Sequence, residues 1–146
     1  MTIASAATGL TGLDLLRARF DAGPPVAVAE LLGMRPVHVE LGTVTFACDA
    51  DPRFANPMGT VHGGIIATLL DSALGCAVQT MLPEGAAYTT LSLEVKYLRG
   101  LPLDAGELRA TGNVVHAGRR QATAEGELTD VAGRLYATAT TTCLVL

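Results

Sequence analysis

The chain has no tryptophan, only 4% aromatic residues and only 16% charged residues among its 146 positions. No lysine or arginine run is interleaved with aromatics and the formal net charge is −4. Nucleic acid is therefore not expected as the main partner, although local basic spots suffice for a small phosphorylated ligand. Three cysteines, Cys48, Cys76 and Cys143, are odd in number, widely spaced and free of any CxxC pairing. They read as reduced packing residues rather than a disulfide framework or metal ligands. No Ser-His-Asp arrangement, metal-ligand cluster, repeat or low-complexity tract is evident, and no metal or cofactor is expected. No basic residue precedes Arg17. The start therefore lacks the marks of a secretory or transit peptide, and the expected location is cytoplasmic.

What the chain does have is 49% hydrophobic residues, enough for one core without staples. The apolar stretch from His62 to Leu82 approaches membrane-spanning length. It contains Asp71 and Gln79, however, and is flanked by strand-like alternation, so a buried helix without a membrane partner is expected. Asp71 is a lone acid amid Ile65, Ile66, Leu69, Leu70, Ala73, Leu74, Ala77 and Val78. Desolvating it is costly, so it should have a partner or a task. Just before it, His62-Gly63-Gly64 opens the helix, where unpaired N–H groups and the helix dipole favour an oxygen atom.

Around this helix the expected order is regular. Leu13–Phe20 and Val26–Leu32, the latter after Pro24-Pro25, suggest two short helical segments, within an N-terminal region 1–33 that covers a core domain over 34–146. Arg35 to Leu41 and Thr43 to Ala50 read as a strand pair. Pro83-Glu84-Gly85 stops the helix, and Thr90 to Tyr97 alternates polar and apolar with period two. Gly106 to Val115, Gln121 to Thr129 and Arg134 to Val145 complete a meander. The fold class is α+β, with five or six antiparallel strands wrapped around one long central helix. That helix is apolar on nearly every side, so both the N-terminal helices and a second subunit are expected to help cover it.

Asn56, Gly59, His62, Gly63, Gly64, Leu69 and Asp71, together with the strand Thr90 to Arg99, resemble the hotdog-fold acyl-CoA thioesterases, particularly the phenylacetate-degradation type. The resemblance runs from about Leu32 to the C-terminus. It implies hydrolysis of an acyl-CoA, aryl or medium-chain, to free acid and CoA. It also implies roles: the Gly63 N–H polarises the thioester carbonyl, and Asp71 is nucleophile or general base. Asn56 orients the carbonyl or water, and Thr90, or Thr89 one residue earlier, assists. The chemistry agrees, because a thiolate leaves readily and the reaction needs only a nucleophile and a stabilised oxyanion.

Spacing adds a constraint on these roles. Gly63 and Asp71 are eight positions apart, roughly 12 Å along one helix. Both cannot reach one carbonyl carbon, where contacts of about 3 Å are needed. A homodimer with antiparallel helices is therefore expected to complete two equivalent sites, and the resemblance implies a dimer of dimers, a homotetramer.

Each residue also has a plainer reading. Asp71 as a satisfied buried acid, His62 as a loop anchor, Gly63 and Gly64 as packing glycines, Asn56 as a turn residue and Thr90 as a strand former are the alternatives. Arg119 and Arg120, at a hairpin tip, are candidates for CoA phosphates or simply solvated, and Lys96 and Arg99 are read with the same reserve. Met58, Leu82 and the N-terminal apolar residues are candidates for an acyl pocket, with Met58 and Gly64 taken as substrate contacts. His38 and His116 are read as structural. A non-catalytic acyl-CoA sensor and a hotdog dehydratase or hydratase are the competing functions; Asp71 counts against the first, and the His62-Gly63-Gly64 start with its late acid fits the second poorly.

Overall fold

The computed structural model describes residues 9–23 and 27–146; the expected entry into the second helical segment at Pro24-Pro25 and Val26 lies outside them. Two short helices, α1 (Gly12–Asp21) and α2 (Ala27–Leu32), precede strands β1 (Arg35–Glu40) and β2 (Thr43–Asp49). A single 3-10 turn, Pro52–Phe54, leads to the long helix α3 (Gly63–Thr80). Strands β3 (Tyr88–Tyr97), β4 (Glu107–Ala117), β5 (Gln121–Asp130) and β6 (Leu135–Val145) follow. All six strands form one antiparallel sheet against which α3 packs. This is the hotdog fold.

Strand order is β1-β2-β4-β5-β6-β3, which corrects the meander read from the sequence. Among the strands after α3 only β4, β5 and β6 follow one another, while β3 pairs with β6 at the far edge. Alternation reports which face a side chain takes, not which strand lies beside it, so this non-local pairing left no local trace.

Small residues set how closely α3 approaches the sheet. One register row runs Val44, Gly112, Gly126, Ala139 and Val95 across five strands. A Cβ at Gly112 would lie 2.6 Å from the Ala73 carbonyl, and one at Gly126 would collide with the Thr111 carbonyl oxygen on the neighbouring strand and lie 2.6 Å from Leu74 Cδ1. Both glycines are thus required by backbone approach, and the helix sinks its Leu70, Ala73, Leu74 and Val78 face completely. By length and composition α3 could cross a membrane; here it is the core helix.

Coverage of α3 is incomplete on one side. Helix α1 seals its C-terminal end, where Gly12 donates to the Leu82 carbonyl (2.9 Å) and leaves no room for a Cβ against the Gln79 carbonyl. Toward the N-terminal half, Gly64 is exposed and Thr68, Asp71 and Ser72 are only half-buried. Beside this opening stands β3, an edge strand whose Leu91 and Tyr97, with Leu98 just beyond its end, are more than half exposed.

Strand β3 also departs from the expected alternation. Its pairing with β6 skips from Thr90↔Cys143 to Ser92↔Thr142, so Leu91 is an extra, bulged residue, 59% exposed. Counting back from Tyr97 without a bulge would place Thr90 on the outer face with Ser92, Glu94 and Lys96. The bulge returns it to the helix side, in the row of buried Cys143 and Ala122. Period two could not reveal this, since the sequence continues to alternate through the bulge.

Candidate active site

The helix start is built by its loop. His62 N–H donates to the Phe54 carbonyl (2.8 Å) and Val61 N–H to the Leu101 carbonyl (2.9 Å), which fixes the chain as it enters α3. His62 is the N-cap, and its Nδ1 accepts from Gly64 N–H (2.8 Å). The ring lies so near that a Cβ at Gly64 would sit 3.0 Å from Nδ1. His62 thus anchors the helix start, and Gly64's N–H is occupied. Among the described residues nothing accepts from the Gly63 N–H, so of the two glycines Gly63 keeps the open donor. Its carbonyl is fixed too, accepting from the Tyr97 hydroxyl (2.8 Å), whose ring packs on the space where a Cβ would be.

Asn56 holds the preceding turn. Its Oδ1 accepts from Met58 N–H (3.0 Å) and Thr60 N–H (3.1 Å), while Nδ2 donates to Thr60 Oγ1 (2.9 Å). Gly59, at φ 79°, closes that turn by donating to the Asn56 carbonyl (3.0 Å). The amide is largely engaged within its own loop, with one Nδ2 hydrogen left over.

Asp71 lies farther along the same helix. Its Oδ1 accepts from Thr90 Oγ1 (3.1 Å), the contact that the Leu91 bulge makes possible. Thr89, the alternative, is exposed. The carboxylate borders a cavity of about 540 Å³ whose walls include Leu16, Phe20, Val28, Met34 and Phe46. Phe20 and Phe46 meet edge to face at 5.6 Å, joining α1 to the sheet. The arrangement offers a fixed carboxylate beside an apolar chamber and, elsewhere on the same helix, an open N–H.

The sequence profile of the thioesterase superfamily matches residues 58–137, which contain the His62 helix start, Asp71 and Thr90. The chain belongs to this superfamily. A solved structure of a phenylacetic acid degradation-related protein from Ralstonia eutropha JMP134, a candidate thioesterase, is 34% identical, with a TM-score of 0.79 over 88% of this chain and 98% of that one. The phenylacetic acid degradation protein PaaI of Thermus thermophilus, solved as a mutant, is 31% identical, with a TM-score of 0.74 over 82% of this chain and 98% of its own. A candidate esterase of Halobacterium salinarum is 45% identical over 69 residues, 46% of this chain, and the match spans 44% of that relative's length. The likeness is thus to hotdog thioesterases of the phenylacetate-degradation type.

Against this thioesterase frame the remaining expected residues divide. Met58 is 79% exposed at the loop tip and Leu82 is buried in the core; neither lines the Asp71 cavity, whereas the N-terminal apolar residues do. Arg119 and Arg120 are exposed at the β4–β5 turn, at the end of the sheet where Gln121, Leu144 and Thr89 align. Lys96 lies 3.5 Å from Glu94 on the outer face, and Arg99 is exposed. His38 is 3.5 Å from Glu40, and His116 is exposed. Sequence reasoning missed Tyr97, which reaches the Gly63 carbonyl, and Tyr88 and Arg19, which line the Asp71 cavity; long-range folding alone puts all three there.

The cysteines are unpaired, as expected. Burial pushes the Cys48 thiol up to about 11 and the Cys76 thiol up to about 12, and raises Cys143 as well. Cys76 shows some surface on the wall of the Asp71 cavity. All three thiols should resist a thiol reagent in the native protein at pH 8. Above the ordinary thiol value of 9.0 the unfolded chain loses these protons and the folded chain keeps them, so stability falls from pH 9 toward 12. Each thiol held protonated steepens that loss by about 1.4 kcal/mol per pH unit. Denaturant midpoints measured from pH 8 to 11 check this; a flat profile would contradict it.

Proposed function

We propose that the protein hydrolyses the thioester of an acyl-CoA, releasing the free acid and CoA, as a soluble cytoplasmic enzyme. The observation that carries this reading is the Asp71 carboxylate, held by Thr90 in an apolar helix and facing an apolar cavity. Asp71 either attacks the thioester carbon or takes a proton from the water that does. The carbonyl oxygen becomes an oxyanion, which the Gly63 N–H holds, and collapse breaks the C–S bond and expels the CoA thiolate; the water route gives the free acid at once, and the nucleophile route leaves an Asp71 mixed anhydride that a water then hydrolyses to the free acid. The acyl group occupies the cavity, and Arg119 and Arg120 are available to the CoA phosphates.

The Gly63 N–H comes from a second subunit in this reading. Helix α3 runs antiparallel to β3: Gly63 bonds to Tyr97 at one end of the strand, and Asp71 bonds to Thr90 at the other. A twofold axis near Leu93 and Glu94 would pair edge strand β3 with its copy. Thr90 and Asp71 of one chain would then stand opposite Tyr97 and Gly63 of the other. The open edge of β3 and the half-covered side of α3 support this pairing.

A thiol-release assay over short, medium, branched and aryl acyl-CoAs tests the proposal. Release of CoA from at least one class, with the free acid as coproduct, is expected. Tight acyl-CoA binding without release would favour a sensor, and hydration of an enoyl-CoA without release would favour a hydratase.

A further inference from the structure

We propose that the Asp71 cavity selects acyl groups ending in a carboxylate, which Arg19 receives with Tyr88 and Gln79 as neutral donors. This rests on the thioesterase reading above and adds the substrate class.

The cavity is apolar over much of its wall but carries a set of donors that the fold does not use. Arg19, Gln79 and Tyr88 all line it, and none makes a side-chain hydrogen bond or ion pair with any described residue. Arg35, the other cation on the wall, differs: it is already held by Asp49 (3.3 Å) and Glu107 (3.0 Å). Asp71 borders the same chamber, yet no Asp71–Arg19 ion pair forms, and the carboxylate is taken by Thr90 instead. A half-buried guanidinium without a counter-ion among the described residues thus shares the chamber with the acid that the proposed chemistry uses.

The neighbouring groups fit an anion rather than a second cation. The Tyr88 hydroxyl lies directly on Gly75, where any Cβ would collide with it. Burial raises the Tyr88 phenol above its ordinary range, so it remains an O–H donor. Burial likewise keeps the Cys76 thiol protonated, so it adds no negative charge between them. Ser72, Cys76 and Gln79 fall on one stripe of α3 leading from Asp71 toward the helix end that α1 covers. Arg19, near the end of α1, faces that stripe.

A carboxylate at the tail of a bound acyl group would give Arg19 a charge-assisted partner. A methyl in its place would cover the guanidinium without replacing its water, which is the arrangement that penalises an analogue most. Arg19 is only half-buried, so the discrimination should be modest, about 10- to 100-fold.

The test compares glutaryl-CoA with pentanoyl-CoA, which differ in the terminal carboxylate and carry the same CoA phosphates. The expected ratio of kcat/KM is at least about tenfold in favour of glutaryl-CoA. In Arg19→Met it should fall to about one, and Arg19→Lys should retain part of it. Each ratio is taken within one preparation, so a smaller folded fraction cancels. The same pair is titrated against Asp71→Asn, read as a ratio of Kd values and repeated with Arg19→Met added. This separates the two readings. Carboxylate preference in binding without turnover in the wild type would sustain the selectivity and sink the hydrolase. Equal or better handling of pentanoyl-CoA, or a ratio unmoved by Arg19→Met, would overturn the selectivity while leaving the hydrolase standing.

Discussion

Asp71→Asn is expected to lower kcat for acyl-CoA hydrolysis by about 10²- to 10⁴-fold while leaving the fold intact, the range associated with removing a positioned base; loss of a nucleophile would place it at or beyond the upper end. The substitution preserves shape, and the amide oxygen can still accept from Thr90, so the 3.1 Å contact has no reason to break. What disappears is the charge. Because the carboxylate sits on an apolar helix but shares its cavity with Arg19, the desolvation relieved and the attraction lost offset each other and thermal stability should change little. Thiol release, thermal unfolding and acyl-CoA titration on one preparation read these effects separately. Unchanged turnover would remove Asp71 from the chemistry.

Gly63→Pro should cost about 10² to 10³ in kcat, the usual loss on deleting one oxyanion donor. Proline at the first position of α3 lacks only an N–H that the helix does not use. His62 precedes it at φ −59° and ψ 133°, the extended conformation that a residue before proline prefers. The ring would press on Tyr97, whose hydroxyl holds the Gly63 carbonyl, so this contact carries a cost of its own. Gly63→Ala is the matched control: it meets the same tyrosine at 3.1 Å but keeps the N–H. A large loss in the proline variant with a small one in the alanine variant assigns the effect to the donor. Equal losses would assign it to the Tyr97 contact.

Much of the fold was legible because its signals are local. Gly63-Gly64 and Pro83-Glu84-Gly85 bracket the helix, and alternation marked each strand to within a few residues. Thr90 was recognisable as a candidate, yet its inward turn depends on the Leu91 bulge, which alternation conceals. The position of β3 beside β6, the Tyr97 bond to Gly63 and the cavity wall built by Phe20 on Phe46 all join residues far apart in sequence. No spacing rule reaches them. The half-covered helix is the instructive intermediate case: its all-round apolarity predicted a need for cover, and the structure located the uncovered side along β3.

The central claim is that each site takes its acid from one chain and its oxyanion donor from another. Co-expression of Asp71→Asn chains with Gly63→Pro chains tests it most directly. A random mixture is half heterodimer, and each heterodimer would carry one wild-type site of two. The account therefore predicts recovery to about a quarter of wild-type activity, from two parents that are each nearly inactive. Heterodimers demonstrated by differential tagging, with activity no higher than the parents', would contradict it.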